Sequence, residues 1–269
     1  MMDEHFAVDW LAARESADHA ARSEVLLDRL RGWFGQRAPL RIVDLGAGTG
    51  SNARYLAPRL ALPQHWTLVD HDPDLLARVS IPTGTASVTT STVCADLKRW
   101  QLADETLDLV TASALLDLVS GSWLDRVVAD CARHRAAALM ALTYDGGVTW
   151  SVPDPKDGQV RDAVNAHQVR KTALGSALGP QATEAAATRF QAAGYRVWIE
   201  PSPWQLDAED LFLAEPLVAG WVAAAAEQLP AAESDIRAWG QRRLDDLRKG
   251  RTCLTVFHLD LLALPGEAR

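Results

Sequence analysis

The stretch RIVDLGAGTGSN, residues 41–52, decides how this chain is read. It runs from an apolar segment into three glycines set two apart, Gly46, Gly48 and Gly50, and then into residues that open a helix. Glycine reaches backbone angles that other residues resist, and with no Cβ it lets a ligand lie against the main chain. The N–H groups at a helix start favour a negative or electron-rich group. Strand, glycine turn and helix in that order form a nucleotide-binding unit, yet Ser51 stands where a dinucleotide fingerprint has its last glycine. The turn therefore asks for a different nucleotide-like ligand.

Outward from it, strand and helix signals alternate. LRIVDL (40–45), WTLVD (66–70), ASVTTSTVCAD (86–96), LDLVTAS (107–113) and AALMALTY (137–144) read as strands, with helical patterns over 52–60, 73–79 and 123–134. Such alternation predicts an α/β fold with a parallel sheet covered on both faces. Ahead of it, Leu26, Leu30, Trp33 and Phe34 recur at helical spacing and Gly35 follows as a stop. Behind it, residues 145–180 are polar and broken by glycine and proline, which predicts loop with a short helix inside. A helix over 181–193, a sixth strand YRVWIEP (195–201), a mostly helical insert over 207–249 and a closing strand CLTVFHLDLLAL (253–264) complete the chain. Within the insert Ile236, Trp239, Arg243 and Leu247 share a face, which points to packing.

Composition narrows the partners. Lys and Arg number 27 against 35 Asp and Glu, and the net charge of −8 argues against a nucleic-acid backbone. No uncharged run approaches the roughly 18 residues of a membrane span, and LVAGWVAAAA (217–226) reads as a buried helix. Cys94, Cys131 and Cys253 lack metal-ligand spacing, so no metal is expected and the thiols read as small buried hydrophobes in a reducing compartment. The opening MMDEHFAVDW has no apolar core of a secretory leader, and a cytoplasmic location is expected.

Three carboxylates fall at successive strand tips. Asp44 ends the first strand, and Asp70, about 20 residues past the last glycine, ends the second, where it can accept from both hydroxyls of a ribose. Asp96 ends the third and can accept from an exocyclic amine, or simply cap the next helix. Three negative tips oppose a pyrophosphate and suit a ligand with ribose, adenine and a positive charge, a description met by S-adenosylmethionine.

VDLGAGTG (43–50), LVDHDPDLL (69–76), VCADL (93–97) and LDLVTASALLDLV (107–119) resemble, in order and approximate spacing, the class I S-adenosylmethionine-dependent methyltransferases. HQVRKTALGSALGP and HLDLLALP resemble a bacterial small-molecule group of that class, which fixes no substrate. The resemblance implies a Rossmann-like, doubly wound sheet of seven strands with the last antiparallel, elaborated by helical insertions at the N-terminus and in the C-terminal half. It assigns Asp44 and the Gly46–Gly50 turn, with Gly46, Ala47 and Gly48, to the amino-acid end of the cofactor, Asp70 to the ribose, and Asp96 with Leu97 to the adenine; Asn52, His71 and Ser113 complete the expected cofactor-binding set. One domain over 1–269 is expected, with a helical cap (1–39), a cofactor-binding half (40–145) and a substrate-side half (146–269).

Methyl transfer needs an acceptor held in line with the sulfonium methyl, and a base where the acceptor carries a proton. His167 in NAHQVRK is the expected base, because a neutral imidazole near pH 7 accepts a proton. Asp117, just past the fourth strand, is the second candidate, as proton acceptor, as orienter of an amine or as a helix cap. Arg14 is expected to bind the cofactor's carboxylate, since a guanidinium does so bidentately. His258 and Asp260 share a face of the last strand, and Trp10, Trp150 and Trp204 lie near segments that would cover an acceptor. The expected activity is methyl transfer to an O or N of a small molecule. A non-catalytic S-adenosylmethionine-binding sensor is the alternative. The ASALL after the fourth strand, where a base-amine methyltransferase would carry an Asn/Asp-Pro-Pro-aromatic tetrad, makes a nucleic-acid substrate less fitting.

Overall fold

A computed structural model describes residues 8–81, 87–102, 106–169, 171–172 and 175–266. The first seven residues of the expected cap and the last three of the chain lie outside these. Helices α1 (Val8–Ala21) and α2 (Glu24–Phe34) lead into β1 (Leu40–Leu45), α3 (Ser51–Leu60), β2 (Gln64–Asp70), the short α4 (Pro73–Leu76) and β3 (Val88–Cys94). Next come β4 (Leu109–Ser113), α5 (Gly121–His134), β5 (Ala137–Trp150), α6 (Asp157–Gln168) and a two-residue hairpin, β6 (Lys171–Thr172) with β7 (Gly175–Ser176). Helix α7 (Ala182–Ala192), β8 (Tyr195–Pro201), β9 (Trp204–Leu206), α8 (Leu211–Gln228), α9 (Glu233–Arg248) and β10 (Leu254–Pro265) follow.

The sheet runs β3-β2-β1-β4-β5-β10-β8, with β9 paired to β10 off that path. β1 to β5 are parallel neighbours, and β10 is antiparallel to β5, β8 and β9. Central strands are apolar on both faces because both faces are covered. In β1, Leu40 and Ile42 pack with α2 and α3, while Val43 and Leu45 pack with α5 and α7. A third apolar cluster lies beyond the parallel sheet, where α6, α8 and α9 close over the far ends of β5 and β10. The anticipated stripe Ile236, Trp239, Arg243 and Leu247 is buried there, with Arg243 Nε donating to Asp157 Oδ1 at 2.9 Å.

Four local expectations need correction. The loop expected from residue 145 begins instead at 151, because β10 carries β5 onward through a bulge in which Asp145, Gly146 and Gly147 face the single residue Phe257. The N-terminal helix is two helices, broken at Arg22–Ser23, where the Ser23 hydroxyl accepts from Leu26 N at 3.3 Å. Helix α4 stops at Leu76, short of residue 79. Of the cysteines, Cys131 is buried, whereas Cys94 and Cys253 are exposed. Among the described residues no helix is long and apolar enough to cross a membrane, and no cluster of His, Cys, Asp or Glu could hold a metal ion.

Candidate active site

The glycine turn joins β1 to α3 through three left-handed residues, Gly46, Gly48 and Gly50, at φ +67°, +53° and +85°. Only glycine adopts these angles without strain. The N–H groups of Gly46 and Ala47 donate to the Val69 carbonyl at 2.9 and 3.0 Å, which ties the bend to the tip of β2. Space is as restrictive as angle: a Cβ on Gly46 would stand 3.2 Å from Leu115, and one on Gly48 3.3 Å from Leu11.

Asp44 lies under this bend with no exposure. Its Oδ1 accepts from Asn52 Nδ2 at 2.7 Å, and its Oδ2 has no protein partner. Burial pushes its pKa up to about 7, opposed by the Asn52 hydrogen bond and the Arg22 charge and reinforced by Asp70. Asn52 also donates to Thr111 Oγ1 at 3.1 Å and accepts from Arg22 Nη1 at 2.8 Å. Asp70 Oδ2 accepts from Gly48 N at 2.7 Å, and its Oδ1 accepts from Asp72 N at 3.0 Å with His71 Nδ1 3.2 Å away. The carboxylate is thereby locked against the turn. Asp96 lies exposed two residues beyond β3, its Oδ1 accepting from Lys98 N at 2.9 Å, and Leu97 beside it is buried.

Helix α1 covers the turn with a face unlike that of an ordinary packed helix. Leu11, Arg14, Glu15, Asp18 and His19 recur at helical spacing along it, and Arg22 follows just past its end. Leu11 lies over Gly48, Glu15 Oε1 accepts from Arg54 Nε at 2.8 Å, and His19 Nε2 lies 3.1 Å from the Ser51 hydroxyl. Arg14 binds Asp18 through Nε and Nη2, at 2.8 and 3.2 Å, and its guanidinium stacks 5.1 Å from the Trp204 ring.

Past β4 the chain turns sharply at Ala114 (φ +52°), whose N–H donates to Ala141 O at 2.9 Å, and this places Leu115 over Gly46. Ser113 ends β4 just before that turn. Asp117 follows in a single helical turn, half-buried, its pKa pushed up to about 6 by burial and held back by its own backbone N–H and by Arg14. Alongside stand Tyr144, whose hydroxyl donates to Asn165 Oδ1 at 3.0 Å, and His258, whose ring centroid is 6.1 Å from Tyr144 and 4.8 Å from Trp204. Burial, with Arg14 adding to it, lowers the His258 pKa to about 3 and keeps that ring neutral.

The structure thus gathers Asp44, Gly46, Ala47, Gly48, Asn52, Asp70 and His71 at one turn. Two expected residues are engaged elsewhere. His167 lies on α6 with Nε2 3.3 Å from Glu227 Oε2 of α8, a contact between helices, while Asn165, two residues earlier, takes the direction of Tyr144. Arg14 is committed first to Asp18. Trp150 packs edge-on against Trp239 in the third apolar cluster. Arg22, Glu15 and His19 were not anticipated, because single charged residues in a helix carry no mark of the turn they will meet.

The groups present fit S-adenosylmethionine: a cradle of three left-handed glycines, a buried carboxylate with one bare oxygen, and a second carboxylate fixed at the neighbouring tip. The strand order, with β10 as the antiparallel member, is that of the class I S-adenosylmethionine-dependent methyltransferases, and S-adenosylmethionine is the cofactor of that class. Residues 42–137 match the family model described as a methyltransferase domain. No curated protein matches the chain. Among solved structures, the YcgJ protein of Bacillus subtilis is 13% identical, with 91% of this chain and 100% of that one covered at a TM-score of 0.50. The cyclopropane synthase MmaA2 of Mycobacterium tuberculosis is 12% identical, with 96% and 94% covered at a TM-score of 0.48. At 13% identity the likeness to YcgJ is one of fold.

Proposed function

We propose that this chain transfers a methyl group from S-adenosylmethionine to an oxygen or nitrogen of a small molecule in the cytoplasm. The observation that carries the reading is Asp44, a carboxylate with no exposure and one oxygen without a partner, beside a turn only glycines can form. A buried acceptor left unmade costs about 1–3 kcal/mol, so its retention calls for a ligand. The cofactor supplies an electrophilic methyl on a cationic sulfur. Asp70 accepts from ribose hydroxyls, Asp96 from the adenine amine with Leu97 as its apolar floor, and Arg14 reaches the cofactor carboxylate with the N–H groups Asp18 does not use.

Asp117 orients the acceptor and takes its proton. A carboxylate with a pKa near 6 is ionised at neutral pH yet more basic than an ordinary one, which suits this role. His258, Tyr144 and Trp204 supply an apolar wall with hydrogen-bonding edges, and α1 excludes water. The close approach of Leu11 and Leu115 to the turn favours a small acceptor over a polymer.

Isothermal titration with S-adenosylmethionine and S-adenosylhomocysteine tests the first half. Binding is expected in the wild-type chain and its loss in Asp70→Ala; a wild-type chain that binds neither ligand defeats the reading. Release of S-adenosylhomocysteine on incubation with a small-molecule extract separates an enzyme from a sensor, and Asp117→Asn is expected to slow that release by about 10²–10⁴-fold where the acceptor must lose a proton.

A further inference from the structure

Strand β8 ends the sheet: β10 pairs along one side of it, and no strand among the described residues pairs along the other. An open edge is a template for a further strand, and proteins blunt it with lysines, bulges or a covering element. The stretch YRVWIEP (195–201) has no lysine, and its register with β10 runs from Leu259↔Pro201 to Pro265↔Tyr195 without a shift, so no bulge bends it away. Beyond the strand, Ser202 N donates to His258 O at 2.8 Å, in the same register. Alternation along the strand then turns the main-chain groups of Trp198 and Glu200 toward β10 and those of Val197 and Ile199 toward the open edge. Pro201, with no N–H to give, lies on the open side, where proline is tolerated.

The side chains sort by the same alternation. Trp198 faces α2, whose Arg29 guanidinium lies 5.2 Å from its ring centre, and Arg196 lies 5.0 Å from that ring. Arg196 and Glu200 share this face, and neither makes an ion pair with another described residue. They stand four residues apart on an extended strand, too far to meet each other. Val197 packs on the opposite face with the α5 and α7 cluster, and Ile199 beside it is 42% exposed. Helix α2 is held firmly against this edge, since Ser23 N donates to Asp260 Oδ2 at 3.0 Å and Arg22 Nε lies 3.5 Å from the same oxygen. Val25, one turn before Arg29, is 51% exposed and extends the apolar surface.

We propose that β8 pairs antiparallel with β8 of a second copy of this chain, across a two-fold axis at Trp198, to form one continuous sheet through a homodimer. Trp198 is the middle residue of Tyr195–Pro201, so this register uses the whole strand. It sets Arg196 of each copy opposite Glu200 of the other, and of the two-fold registers only this one does so. Val197 and Ile199 then exchange their free N–H and C=O groups with Ile199 and Val197 of the second copy. Trp198 meets its own counterpart as a non-hydrogen-bonded pair, in which side chains approach closely. Charge, main-chain polarity and apolar surface are thus self-complementary about one point, as a two-fold interface requires. A ladder of this length is smaller than an obligate interface, so a concentration-dependent dimer of micromolar affinity is expected. The proposal is independent of the methyl-transfer reading.

Sedimentation velocity of the full chain over a range of micromolar concentrations tests it. The wild type is expected to dimerise. Arg196→Glu and Glu200→Arg each set like charges against each other at both ends of the ladder, and each is expected to weaken the dimer by about ten- to a hundredfold. An equimolar mixture of the two variants opposes unlike charges again and is expected to recover wild-type association, which also shows that both variants are folded. Hydrogen exchange is expected to be slow at the Val197 and Ile199 amides in the wild type and fast in either variant alone. A wild-type chain that stays monomeric overturns the proposal and leaves the edge to a strand of some other protein. A dimer that neither substitution weakens, or a mixture that associates no better than its components, overturns it equally.

Discussion

Burial makes ionisation of Asp44 costly. Its pKa stands near 7 in the folded chain against about 3.9 for an exposed Asp, so the folded state holds the proton more tightly than the unfolded one. A raised value gives stability that is fully present below the unfolded pKa and is lost as pH climbs through about 7. Asp44→Asn keeps an acceptor for Asn52 and removes the charge. It is therefore expected to unfold at a higher temperature than the wild type at pH 8, with the gap narrowing toward pH 5, as scanning calorimetry at both values would show. A variant less stable than the wild type at pH 8 would mean that Asp44 is compensated by contacts beyond Asn52 and Arg22. The position of this residue was legible in VDLGAGTG, since a carboxylate before alternating glycines has few other uses. Its counter-ion was not, because Arg22 and Asn52 lie 30 residues apart and nothing in either neighbourhood signals the other.

Elements were legible where one local signal sufficed and obscure where a partner strand decided. The β1–turn–α3 unit, β2 and β8 have the bounds their apolar runs implied to within a few residues. β5 outran its expected end because Gly146 and Gly147 read as a loop, whereas β10 accepts them as a bulge. The same partnership explains Leu142, a buried non-glycine residue at φ +53°. Its N–H donates to Asp260 Oδ1 at 2.8 Å while Asp260 Oδ2 takes the N–H of Ser23, so one side chain of β10 holds both the bend in β5 and the start of α2. Asp260→Ala leaves two N–H groups and the Arg22 cation without that partner. Removing one member of a buried pair costs about 3–5 kcal/mol, and a loss of that size in urea unfolding is expected, with Asp260→Asn losing less because an amide oxygen still accepts. A change below about 1 kcal/mol would mean that Asp260 is an ordinary surface-type aspartate that happens to be covered. His258, its neighbour on the same face, shows why the facing pattern alone did not tell their roles apart: both residues alternate inward, one to pin helices and the other to pack its ring against Tyr144 and Trp204.

For the whole molecule, the question is whether the cofactor half and the substrate half are one cooperative unit. Their apolar clusters are distinct, but β5 and β10, of 14 and 12 residues, run through both and stay paired from Leu254↔Trp150 to Ala263↔Ala138 across two shifts of register. Helix α1 adds a second connection, since Trp10, Ala17 and Ala21 pack into the substrate-side cluster while Leu11, Glu15 and His19 meet the glycine turn. Separating the halves would break the longest ladder in the sheet along its length. Five of the ten tryptophans, Trp10, Trp150, Trp204, Trp221 and Trp239, belong to the substrate-side cluster, so tryptophan fluorescence weights that half whereas far-ultraviolet circular dichroism weights the whole. The two probes are expected to give one midpoint on heating. S-adenosylmethionine at about 100 times its Kd adds about 2.7 kcal/mol, which for a chain of this size raises both midpoints together by about 5–10 °C. A fluorescence midpoint several degrees below that of circular dichroism, and unmoved by the ligand, would show the substrate half melting by itself. In that event α1 would act as a hinge between two units.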